Sequence, residues 1–179
     1  MFSVMFAGCY RNPRRTRAAA AVAGLSLLVA GLSACGNLIT VNDAGRVGIT
    51  VDSARNPVIA VMTCGRSTPV ITLAEGRKES DPDTEPNVER GEWRAGKAFV
   101  GVKTFPLARP GENWVTVRRP GTLEADRLFV VDGGTVEDKN ASLGGVSFRT
   151  ADLAHLSAGQ VQVEGKVESL STFGAYQCR

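Results

Sequence analysis

The chain has 179 residues, 21 of them basic and 18 acidic, and 43% of its side chains are hydrophobic. Four of the basic residues and none of the acids lie in residues 1–35, so the remainder has one acid in excess. That remainder is long enough for one domain with a real core, and it has no basic surplus to hold phosphates, which excludes a nucleic-acid partner on charge.

The first element is an export signal. Arg11, Arg14, Arg15 and Arg17 form a cationic segment, and from Ala18 to Ala34 no residue is charged. Leu25, Leu27, Leu28, Val29 and Leu32 make the stretch apolar. Charges held on the cytoplasmic side followed by an apolar run are the physical signature of a secretory signal. The run is rich in Ala and Gly and short of the roughly 20 apolar residues of a lasting span. A helix over about Arg15–Leu32 is predicted.

Leu32-Ser33-Ala34-Cys35 closes that segment. It resembles the bacterial lipobox: an aliphatic residue, two small residues and a cysteine. The resemblance implies a lipoprotein precursor, cut between Ala34 and Cys35, with the Cys35 thiol acylated. An ordinary signal peptide cut near Ala34, or an uncleaved anchor, is the alternative. Two or more acyl chains hold a protein stably on a bilayer, at about 0.8 kcal/mol per buried CH₂. Arg14-Arg15 raises twin-arginine export, but Thr16-Arg17-Ala18 lacks that motif's hydrophobic continuation. The composition of the segment is similar to actinobacterial precursors. The implied layout is a signal peptide over 1–34, a lipidated N-terminus and short tether over 35–45, and a β-domain over 46–179, on the outer face of the cytoplasmic membrane.

Of the four cysteines, Cys9 leaves with the signal and Cys35 takes lipid. Cys64 and Cys178 remain, and outside the cytoplasm they are expected to pair; two buried thiols are the alternative. No CxxC occurs and His155 is the only histidine, so no metal site is predicted.

Beyond the anchor, residues 37–45 are a tether or an edge strand. Val47, Ile49 and Val51 alternate with Gly48 and Thr50, the period of a strand, and Arg55-Asn56-Pro57 breaks it. Val58–Cys64 is a dense apolar run, read as a strand buried on both faces. Gly65–Thr68 is a turn cluster, and Pro69–Ala74 the next strand. Residues 75–92 carry almost no apolar side chain and read as a long solvated loop. Within it Asp81, Asp83 and Glu85 alternate like a calcium loop, but Pro82 and Pro86 interrupt the pattern. Lys97–Phe105 and Asn113–Val117 are strands. Trp93 and Trp114 are candidates for stacking on a sugar, with core packing as the commoner role of such aromatics. Arg118-Arg119 reads as solvated charge.

Leu128–Val131 is a short buried strand, Asp132–Thr135 a turn, Asp138–Asn140 a loop and Val146–Thr150 a strand. Asn140-Ala141-Ser142 matches a glycosylation sequon, a chance match beside a bacterial lipobox. Thr150–Gly159 reads as one helical turn with Thr150 as its cap. Val161, Val163, Gly165 and Val167 then alternate with polar residues as one half-buried strand, and Phe173–Cys178 is the last strand. Leu156-x-x-Gly159-x-Val161-x-Val163 resembles the corner between the E and F strands of fibronectin type III and other immunoglobulin-like sandwiches, although no tyrosine stands at the corner.

The expected fold is therefore all-β: a single antiparallel immunoglobulin-like sandwich of about 7–9 strands, preceded by a cleaved signal helix. For chemistry, no GxSxG, HExxH, SxxK or phosphate-cradling loop occurs. His155 sits between Ala154 and Leu156 as a turn or packing residue. A non-catalytic binding or structural module is expected, held on the bilayer and facing an envelope protein or a glycan. The alternatives are an envelope hydrolase working through carboxylates, marked by a pocket with two acids and a tryptophan, and a small-molecule carrier, marked by an apolar cavity between the sheets. No cofactor is predicted.

Overall fold

The computed structural model describes residues 41–76 and 87–178; the signal segment, Ala34, Cys35 and the acidic stretch with Asp81, Asp83 and Glu85 lie outside the described residues. In chain order the elements are β1 (Asn42–Asp43), β2 (Gly45–Val51), β3 (Pro57–Ser67), β4 (Pro69–Glu75), β5 (Val88–Ala95), β6 (Phe99–Pro106), β7 (Trp114–Arg118), β8 (Leu128–Thr135), β9 (Ala141–Arg149), α1 (Thr150–Leu153), β10 (Gln160–Val163), β11 (Lys166–Ser169) and α2 (Leu170–Gly174). The chain is all-β in class. One sheet has the order β1-β9-β8-β4-β5-β7 and the other β11-β10-β2-β3-β6. Eleven strands among the described residues exceed the expected seven to nine.

The two sheets share one core. Val47, Ile49, Ile59 and Val61 come from one, and Ile71, Leu73, Val131 and Phe148 from the other. Aromatic rings fill its middle: Phe105 lies 4.1 Å from Trp114 and 5.7 Å from Trp93 between centroids. Trp93 is fully buried and Trp114 nearly so, so both are packing residues and neither is free to stack on a sugar.

A second, smaller core lies on the outer face of the five-stranded sheet. Ala60, Met62, Val161 and Val163 pack there around Phe173 of α2. This cover explains why Val58–Thr63 are buried without alternation, as the dense run in the sequence requires. It also buries both faces of β2, whose alternation alone predicts one wet face. Gly48 is what allows it: a Cβ there would sit 2.5 Å from Val161 Cγ1 and 3.3 Å from the Phe173 ring.

Several elements differ from their sequence reading. Residues 65–67 continue β3 through a register shift instead of turning. The polar stretch 75–92 is not wholly loop: Glu75 ends β4, buried between Arg90 and Arg127, and residues 88–92 belong to β5. Asp132–Thr135 stay in β8, with Gly133 accommodating Leu143, whose Cβ would lie 2.7 Å from an added methyl. The alternating run near the end is two strands, since Glu164 (φ 47°) and Gly165 (φ 75°) make a tight two-residue turn that leaves Val167 exposed. The strand expected over Phe173–Cys178 does not form: residues 170–174 are helix, because Ser169 Oγ accepts from the Thr172 amide and caps α2, and residues 175–178 follow it without strand pairing. At α1 the cap is Arg149 in place of Thr150, with its amide bonded to Asp152 Oδ2 at 2.7 Å. Leu156-x-x-Gly159 does lead into a strand, β10, but that strand lies between β2 and the edge strand β11, not at the centre of a sheet where an F strand belongs.

Residues 42–43, in the stretch read as tether or edge strand, are an edge strand, paired parallel to the start of β9. Cys64, at the end of β3 near them, is bridged to Cys178, with Cα atoms 5.7 Å apart. The chain end is held beside it. Tyr176 Oη donates to Asp43 Oδ2 at 2.8 Å, and Arg46 lies against the Phe173 and Tyr176 rings while pairing with Glu168 at 3.0 Å.

Candidate functional site

The turns at the other end of the sheets enclose a groove of about 830 Å³. It is made by the β2–β3 turn, the β6–β7 and β7–β8 loops and α1. Each wall is fixed by local chemistry. In the β2–β3 turn, Asp52 accepts from the Asn56 amide at 2.8 Å and from Asn56 Nδ2 at 3.0 Å. Those bonds, the one from the Asn56 side chain first, hold the Asp52 carboxyl below its ordinary pKa. Arg55 sits in the left-handed region at φ 67°. Its guanidinium crosses to the α1 corner, donating to the Leu156 carbonyl at 2.9 Å and to the Ala154 carbonyl. Leu107 N donates to the Pro57 carbonyl at 3.0 Å, and Arg149 Nη1 donates to the Asp126 carbonyl at 2.8 Å, tying the β7–β8 loop to the start of α1.

The floor is apolar, formed by Pro57, Pro106, Leu107, Leu123 and Leu153. The charges are three arginines, Arg55, Arg109 and Arg119, against one carboxylate, Asp52. Tryptophan is not among the lining residues. This is neither the arrangement expected of a carboxylate hydrolase nor a cavity between the sheets. It is a concave, partly apolar surface with cations at its rim, in the size range of small-ligand sites.

The residues singled out in the sequence are dispersed. Cys64 and Cys178 come together at the far end of the molecule from this groove. Arg118 pairs with Glu89 at 3.1 Å, whereas Arg119 lines the groove. His155 is exposed just after α1, its amide bonded to the Asp152 carbonyl. Asn140 lies in the turn entering β9, where its carbonyl accepts from the Asn42 amide. Among the described residues, no group of three or more metal-ligating side chains converges, and no helix is long and apolar enough to cross a membrane. The groove itself escaped the sequence reading. Its one signal is that Pro57, Pro106 and Pro120 all fall at or just beyond strand ends that share one side of the fold.

No protein-family model, no curated protein and no solved structure matches the chain.

Proposed function

We propose that the chain is the precursor of a lipid-anchored envelope protein, acylated on Cys35 after cleavage behind Ala34, and that its β-domain is a non-catalytic binding module on the outer face of the cytoplasmic membrane. What supports this reading is Leu32-Ser33-Ala34-Cys35 standing behind a cationic and then an apolar segment, together with a groove that lies away from the start of the described chain. The N-terminal segment leaves at Asn42, beside the start of β9 and the end of β3. The groove lies at the other end of β2, a seven-residue strand spanning about 23 Å. Residues 36–41 reach at most about 22 Å. A domain held so closely by Cys35 turns its tether end to the bilayer and its groove to the envelope, where a protein or a glycan is the expected partner. The strand order supports an immunoglobulin-like sandwich of the fibronectin kind. Strands β2-β3-β6 stand for A-B-E and β9-β8-β4-β5 for G-F-C-C′; β1, β7 and the β10–β11 hairpin are additions at the edges.

The test is a mass measurement on the full chain extracted from membranes. A polypeptide beginning at acylated Cys35 is expected, and Cys35→Ala should release the chain from the membrane. Material that retains the initiator methionine, or carries no acyl chain, overturns the anchorage. A photo-crosslinker placed at Ala108 should give a defined product on intact cells while one at Lys139, by the tether end, does not. The reverse result rejects the groove as the binding face.

A further inference from the structure

Resting on that reading of the groove as the binding face, we infer that what it grips is a small amphipathic anionic group, presented by the partner: an apolar body beside a carboxylate or phosphate. The apolar body lies on the floor of Pro57, Leu107, Leu123 and Leu153, and a carboxylate or phosphate head is held by Arg109 and Arg119.

The charges make the case. Arg46, Arg90, Arg94, Arg118 and Arg127 each face a carboxylate within 4.0 Å. Arg109 and Arg119, like the exposed Arg66 elsewhere on the surface, have no ion-pair or hydrogen-bond partner among the described residues, but these two both line the groove. Asp52, its only acid, already has both oxygens engaged by Asn56. Glu112 and Glu124, the nearest acids in sequence to those two arginines, are not part of the lining. Arg55 spends its donors on carbonyls, which carry no charge to cancel its own. The hollow is thus left with an excess of positive charge beside low-dielectric walls, which strengthens its field. Guanidinium groups present paired donors that match the two oxygens of a carboxylate or phosphate.

The floor sets the rest of the ligand. Proline has no N–H and leucine no polar atom, so Pro57, Pro106, Leu107, Leu123 and Leu153 offer a body nothing but apolar contact. A bare inorganic ion would leave that surface wet, and a neutral hydrocarbon would leave the arginines unused. The volume of about 830 Å³ suits a drug-sized molecule, since such sites run from about 300 to 1,000 Å³.

The experiment is equilibrium dialysis of the full chain in phosphatidylcholine nanodiscs, with empty discs subtracted, against four probes of one body: phenylbutyrate, phenylbutyl phosphate, phenylbutanol and phenylbutylamine. The two anions should bind at least about tenfold more tightly than the alcohol or the amine, and the double variant Arg109→Gln/Arg119→Gln should remove about that factor for the anions alone. Whichever of carboxylate and phosphate binds better identifies the head. Ala108→Glu, at an exposed lining position, should also weaken the anions, while Arg109→Lys should retain part of the binding. Equal binding of acid and alcohol, anion binding indifferent to the double variant, or no binding of any probe overturns the assignment. None of these results touches the Cys35 mass or the crosslinking at Ala108, on which the anchored module stands or falls separately.

Discussion

Gly48 shows how a single missing side chain shapes this protein. It lets Phe173 and Val161 close over the outer face of β2. Gly48→Ala should destabilise the fold by about 1–3 kcal/mol, as over-packing does, read from the urea midpoint. Arg55 is the opposite case, a bulky residue at φ 67° kept there by its bonds to the α1 corner. Arg55→Ala should cost more than Arg55→Gly by about 1 kcal/mol, since only glycine takes that conformation freely; equal losses would show that the side-chain bonds alone matter. Tyr176 carries a pH dependence. Its hydrogen bond to Asp43, aided by burial and nearby carboxylates, holds the phenol above its ordinary pKa. A folded pKa raised above the unfolded one means that the stabilisation is complete below the unfolded phenol range and is lost as pH rises through the folded value. Asp43→Asn should lower the Tyr176 titration followed by phenolate absorbance, and an unmoved curve would show that the bond is not the cause.

At the scale of elements, what was legible followed from side-chain period, and what was missed followed from turns and contacts. Pro57–Ser67, Pro69–Glu75 and Trp114–Arg118 stand within a few residues of where alternation or apolar density put them. The β10–β11 turn was hidden because valine and glycine alternate straight through it, so the pattern is the same for one strand or two. Asp132-Gly133-Gly134-Thr135 looks like a turn by composition, but Leu143 needs the space that Gly133 leaves. The groove was illegible for another reason. Its lining comes from four segments spread between residues 52 and 154, and none of them carries a motif. The pairing of Cys64 with Cys178 was legible, from cysteine count and from the oxidising compartment that the lipobox resemblance implies. Their bridge closes a separation of 114 residues, so Cys64→Ser or Cys178→Ser should lower stability by about 2–5 kcal/mol. The urea midpoint checks this, and a midpoint unchanged by reductant would argue against it.

Over the described domain as a whole, two sheets and two unequal cores leave two ends of different make. One end collects the start of the described chain, the bridge and the Tyr176–Asp43 bond; the other collects the turns that form the groove. The fold class follows from composition and period, but this polarity does not, because it depends on which strands run which way. One practical result concerns labelling. Since Cys178 is locked next to Cys64, a fluorescent protein appended after it would hang at the bridge end and leave the groove's mouth unobstructed. The same cargo spliced into the β7–β8 loop would plug it. A pair of such fusions would separate what the hollow does from what the rest of the body does, without changing any residue that holds the sheets together.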